Sequence, residues 1–78
     1  MDFRQVFAAN LRRLRHRANL SQEALAERAD VNRTYISKLE TAVTWAGLEV
    51  IVKLATELNV HPSELLRPME PKRGKTAR

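Results

Sequence analysis

Apolar residues recur at three- and four-residue steps along most of this chain, and the interruptions carry residues that start and stop helices. Phe3, Val6, Phe7, Leu11 and Leu14 set the first stripe and predict an amphipathic helix from about Asp2 to Ala18, with Asn19 as a left-handed stop. Ser21 stands where an N-cap belongs and opens a second helix with Leu25, Ala26 and Ala29 inward, the alanines predicting close approach of a neighbour. Glu23 complements the dipole of that helix. Asp30 follows in a turn that favours positive φ, and Val31 anchors the turn to the core.

Asn32 caps a third helix, Arg33 to about Thr41. At about 100° per residue its inner side carries Ile36 and Leu39, while Arg33, Thr34, Ser37, Lys38 and Thr41 spread over the outer side. Tyr35 falls on the border, its ring over the core edge and its hydroxyl outward. The segment TAVTWAG, 41–47, has weak helix signals and holds Val43 and Trp45 where a loop is normally polar; Trp45 packs either on the core or on a partner subunit. Leu48, Ile51, Leu54, Ala55 and Leu58 mark a fourth helix ended by Asn59. His61 and Pro62 begin a short fifth one, with Pro62 in the first turn, Leu65 and Leu66 closing the core, and Pro68 and Pro71 stopping it.

The expected fold is therefore all-α, five helices with a helix-turn-helix at the second and third. Residues 1–67 form one domain and 68–78 a disordered basic tail. Lys72, Arg73, Lys75 and Arg78 lie in that tail and account for most of the net charge of +5, so the folded part is nearly balanced. Its arginines crowd the first helix (Arg4, Arg12, Arg13, Arg15, Arg17), while Glu23, Glu27 and Asp30 lie just beyond, which suits a molecule with one anion-facing side. The tail is either a phosphate-following arm or a solubilising terminus.

Composition narrows the chemistry. With no cysteine, and with His16 and His61 isolated in sequence, neither a disulfide framework nor a metal site is expected, and no cofactor is implied. There is no acid-base constellation or glycine-rich phosphate loop, so an enzyme is not expected. No apolar run precedes the first arginines, so the expected location is cytoplasmic, away from a membrane.

The stretch LSQEALAERA followed by VNRTYISKLE resembles the DNA-binding domain of the phage repressor and Cro-like family of bacterial regulators, also called the XRE family. The resemblance runs from Leu11 to Leu66, and LEVIVKLATELNV is similar to the family's fourth helix. RTYIS is also similar to the controller proteins of restriction-modification systems.

The resemblance implies a lambda-repressor-like fold and roles for matching positions. Arg33, Thr34, Ser37 and Lys38 would face base edges, arginine pairing with guanine and threonine touching thymine, with phosphate the other partner open to Arg33 and Lys38. Gln22 and Tyr35 would touch backbone phosphates, with Thr44 and the amides around Gly47 as a second clamp. Arg15 and Glu40 match a structural ion pair. Asn19 and Asp30 replace the family's usual glycines, and the 41–47 loop lacks its polar and basic character.

One short helix reads only about four base pairs, so a homodimer on a two-fold symmetric double-stranded DNA operator is expected, regulating transcription by repression. The expected dimer surface includes Trp45, Val50, His61, Leu65 and Met69. The alternative function is an antitoxin or other protein-interaction module that binds a partner protein and autoregulates its operon, a reading that Trp45 and the apolar loop would favour.

Overall fold

The computed structural model describes residues 1–69. Among them it contains five helices and no strands: α1 (Phe3–Arg17), α2 (Gln22–Ala29), α3 (Arg33–Glu40), α4 (Leu48–Leu58) and α5 (Ser63–Leu66). The charged tail positions Lys72, Arg73, Lys75 and Arg78 fall outside the described residues.

Side chains set the starts of α1, α2 and α3. The Asp2 carboxylate accepts from the Arg4 amide (3.0 Å), the Ser21 hydroxyl from Ala24 (3.0 Å), and the Asn32 side chain from Thr34 (2.7 Å). Each satisfies an amide that the first turn leaves without a helical partner. Three of the stops are left-handed residues with polar side chains: Asn19 at φ 59°, Asp30 at φ 57° and Asn59 at φ 60°. Short Asn and Asp side chains tolerate this region better than most. The fourth, Ala42 at φ 62°, has no such excuse.

Helix α1 packs on α3 and α5, α2 on α3 and α4, and α4 on α5. Leu11, Leu14, Leu25, Ile36, Leu39, Leu54 and Leu65 are all but completely buried where these helices meet. Each such side chain stabilises the fold by about 1.5–3 kcal/mol relative to exposure. Ala26 and Ala29 are buried too, and their small size lets the neighbours of α2 come close.

Four expectations are corrected. Leu48 is 77% exposed, because it sits in the first turn of α4, beyond the reach of the helices that cover Ile51 and Leu54. Leu65 has no exposed surface, so it closes the protomer's own core as expected and is withdrawn from the dimer surface; Leu66, expected beside it in the core, instead emerges at 39%, because it lies on the outer side of the short α5. Pro62 precedes α5 rather than occupying its first turn, although the backbone already turns there: the carbonyl of His61 accepts from Glu64, and His61 Nδ1 accepts from the Ser63 amide.

A polar residue inside the core went unread in the sequence. Asn10 is buried in α1 and its amide donates to the carbonyls of Leu65 (3.0 Å) and Arg67 (2.9 Å), while its oxygen accepts from Arg13 (3.2 Å). It thereby pins the end of α5, whose carbonyls a four-residue helix cannot satisfy internally.

Candidate nucleic-acid interface

The outer side of α3 follows from its angular arithmetic. Arg33, Thr34, Ser37, Lys38 and Thr41 fall within an arc of about 140°, and Tyr35, Ile36, Leu39 and Glu40 occupy the rest. In the structure Arg33, Thr34, Lys38 and Thr41 are exposed and Ser37 half-buried, whereas Ile36, Leu39 and Glu40 are buried. Thr41 turns its hydroxyl back on the carbonyls of Ser37 and Lys38, so the arc's hydrogen-bonding capacity lies with the other four. Together they present a guanidinium, an ammonium and two hydroxyls, a mixture able to bond both base edges and phosphate oxygens.

Glu40, the last residue of α3, holds this helix to α1 and α2. Its carboxylate accepts from Arg15 Nε at 2.5 Å and Nη2 at 3.0 Å, a two-point pairing, and from Gln22 Nε2 at 3.0 Å. Arg15 also donates to the Leu20 carbonyl (2.9 Å), tying in the turn between α1 and α2. One turn earlier on α1, Arg12 donates to the backbone carbonyl of Glu40 itself. Burial works against the charge on Glu40. The hydrogen bonds from Arg15 and Gln22, with the electrostatic attraction of nearby Arg15 and His16, outweigh it and hold the carboxyl below the ordinary glutamate range.

Gln22 is thus engaged rather than free: one amide N–H is committed to Glu40, leaving the other N–H as the donor still open to an anion. Tyr35 is committed as well. Its hydroxyl donates to the Trp45 carbonyl (3.2 Å) from a half-buried position, so its single proton serves the loop in this conformation. Neither bond was foreseen, since each joins residues that sequence periodicity does not relate.

Beyond Glu40 the chain turns through left-handed Ala42, with the Val43 amide reaching back to the Lys38 carbonyl (3.0 Å). This is the closing bond of a helix C-cap usually made with glycine. Val43 and Trp45 then stand 62% and 63% exposed. The Arg4 guanidinium lies 5.3 Å from the centre of the Trp45 ring, a cation-π contact between α1 and the loop. Beside it Phe3, Phe7, Trp45, Ala46, Ile51 and Leu66 line a shallow apolar groove. Thr44 is half-buried on the same groove, and Gly47 is the N-cap of α4, at φ −69°. A side chain at Gly47 would meet open space, so neither backbone shape nor crowding requires glycine there.

Of the remaining candidates for a dimer surface, Trp45, His61 and Met69 are exposed and Val50 is half-buried against the core. Among the described residues no group of side chains is arranged to hold a metal ion, and no helix is long and apolar enough to cross a membrane.

Comparison with known proteins bears on this face. A helix-turn-helix family model matches residues 11–65. The chain is 39% identical over 66 residues to control protein C.SmaI of Serratia marcescens, covering 85% of this chain and 79% of that protein. It is 38% identical over 66 residues to control protein C.BamHI of Bacillus amyloliquefaciens, covering 83% and 82%. Among solved structures it is similar to the restriction-modification controller protein C.AhdI from Aeromonas hydrophila, with TM-score 0.77 and 39% identity over 80% of this chain and 94% of that one. It is also similar to the hypothetical transcription factor NHTF from Neisseria, with TM-score 0.83 and 39% identity over 86% and 77%.

Proposed function

The chain belongs to the XRE-type helix-turn-helix family of DNA-binding transcription regulators, not to an enzyme family, and we propose that it acts as a controller of a restriction-modification system. On this reading it binds a short two-fold symmetric operator as a homodimer and represses transcription, its own concentration setting occupancy. One observation carries the reading: the exposed arc of Arg33, Thr34, Ser37 and Lys38 on a helix whose opposite side is locked into the core.

The division of labour follows from chemistry. Arg33 opens α3, the end of a recognition helix that enters the major groove, and a guanidinium there matches guanine O6 and N7. Thr34 and Ser37 offer hydroxyls to base edges, and Lys38 reaches either a base or a phosphate. Gln22, through its uncommitted N–H, and the amides at the start of α4 beside Gly47 and Thr44 take phosphates. Tyr35 joins them only if its proton leaves the Trp45 carbonyl. Arg15 and Glu40 stay structural, fixing the angle at which α3 is presented. A symmetric pair places two such helices about 34 Å apart, one turn of DNA, and so reads two half-sites. Trp45, Val50, His61 and Met69 remain the proposed surface for the second copy.

Selection of bound sequences from random duplexes tests the reading. It should return a two-fold symmetric motif. Arg33→Ala should then relax preference at one position of each half-site, at a cost of about 1–3 kcal/mol, whereas Gln22→Ala weakens all sequences alike. A selection that returns no motif would sink the proposal. Sedimentation at micromolar concentration with and without operator checks the dimer, and a monomer in both would remove it.

The exposure of Val43 and Trp45 favours a second reading, an antitoxin-like module that holds a partner protein through this loop and autoregulates its operon. Copurification of a small protein that Trp45→Ala abolishes would support it.

A further inference from the structure

We propose that Arg12 on α1 is a DNA-backbone contact, supplying beside the C-terminal end of α3 the positive charge that the following loop lacks; the inference rests on the DNA-binding reading above. The loop 41–47, TAVTWAG, carries no charged side chain, yet it follows directly on the recognition helix. Phosphate contacts made there by hydroxyls and amides alone release no counterions, and a duplex backbone rewards cations.

Arg12 is placed to fill that role. It is exposed, and its guanidinium is held at the end of α3 by donation of one Nη1 N–H to the Glu40 carbonyl. A guanidinium has five N–H donors, so most of its capacity stays open. Its charge is open too. The Glu40 carboxylate is already paired with Arg15, and among the described residues Arg12 forms no ion pair of its own. The Arg12, Arg15 and Glu40 cluster therefore carries one net positive charge at the edge of the recognition face. Gln22, anchored on the same Glu40, brings an amide donor to the cluster. Because Arg12 is already held, closing on a phosphate costs less side-chain ordering than for a free surface arginine.

The competing role is local: a guanidinium on the last carbonyl of α3 also caps that helix and complements its dipole. The two roles separate in the salt dependence. Binding would be followed by fluorescence anisotropy on the selected operator and on a scrambled duplex, across salt concentrations, for wild type, Arg12→Gln, Arg12→Lys and Arg28→Gln. Arg28 is exposed on α2, beside Lys53 and Glu57 of α4, and serves as a control.

Arg12→Gln should flatten the slope of log affinity against log salt by about 0.9 for each bound chain. It should also weaken both duplexes severalfold and equally. Arg12→Lys, which keeps the charge, should stay close to the wild-type slope, and Arg28→Gln should match wild type. An Arg12→Gln protein that melts earlier but keeps the wild-type slope overturns the proposal and leaves Arg12 a helix cap. Wild type that binds no duplex in a salt-dependent way overturns the DNA-binding reading instead. Should Arg12→Gln fail to fold, the unaltered protein still decides: operator DNA should shield Arg12 from an arginine-specific reagent, read by peptide mass, and full reactivity in the complex counts against the contact.

Discussion

The two sides of Glu40 are built differently. Before it, from Ser21 to Glu40, local preference and tertiary packing agree: Ser21 and Asn32 cap, Asp30 takes the left-handed turn, and the apolar stripe is the buried one. After it, from Thr41 to Gly47, alanine occupies a left-handed position and a valine and a tryptophan face outward. A segment in which every level agrees specifies one geometry, as the proposed base-reading role of α3 would need. A segment that carries strain and exposed apolar surface gains nothing by them for the stability of the protomer.

Removing the hub at the boundary gives the largest effect. Glu40→Ala strands the Arg15 guanidinium in a site where its side chain is only 10% exposed, and Arg15→Ala strands the carboxylate, itself 3% exposed. Breaking a buried pair from one side costs about 3–5 kcal/mol. That is a large share of the roughly 5–15 kcal/mol that holds a domain folded. Chemical denaturation should show both variants close to unfolding at 25 °C, and wild-type midpoints in both would mean that the pair is idle.

The same pair makes a pH prediction. Since Glu40 titrates below the ordinary glutamate value of 4.5 when folded, the unfolded chain binds its proton first as pH falls. Its stabilisation is therefore complete above that ordinary value and is lost as pH drops through the folded one. Denaturation midpoints below pH 4.5 should fall more steeply in wild type than in Glu40→Gln, which lacks the titrating group.

How much of this was legible depends on how far apart the interacting residues lie. Helix positions and caps were readable because Ser21, Asn32, Asp30 and Asn59 act within a turn of themselves, and the stripes of α1 to α4 repeat locally. The pairing of Arg15 with Glu40 spans 25 positions, and resemblance rather than spacing put them side by side. The bond from Gln22 to the same carboxylate has no local signature, and neither has Asn10, an asparagine within an apolar stripe whose partners are backbone carbonyls 55 and 57 positions away. Leu48 and Leu66 show the limit of the apolar pattern: it assigns a side to a residue but does not tell whether a neighbouring helix extends far enough to cover it. Ala42 is illegible in principle, because alanine carries no preference for the conformation it is forced to take.

That last residue sharpens the contrast between the two regions. Left-handed alanine costs about 1–2 kcal/mol. Glycine removes that strain but adds about 0.4–1 kcal/mol of unfolded-chain entropy. Ala42→Gly should therefore stabilise the protein by a net gain of about 0.5–1 kcal/mol. Asp30→Gly, at nearly the same φ, should gain less, because aspartate pays a smaller penalty there. Thermal melts of the two variants would measure the difference. Equal gains would show that the 41–47 turn is no more strained than the turn inside the motif.

Trp45 should give the smallest change in the protomer and the most discriminating one. Its ring is mostly in water, and its polar tie to α3 runs through its backbone carbonyl, which Trp45→Ala preserves. What the fold loses is the cation-π contact with Arg4, worth about 0.5–1 kcal/mol at an exposed site, and part of the apolar groove. A dilute monomer should therefore melt within about 1 kcal/mol of wild type. If the exposed ring is kept for a second copy, the same substitution must instead weaken self-association, so that operator binding becomes more steeply dependent on protein concentration while half-site preference is unchanged. Loss of stability in the dilute monomer beyond the cation-π range would place Trp45 on the structural side of the comparison, with Glu40, and leave the proposed dimer surface to Val50, His61 and Met69.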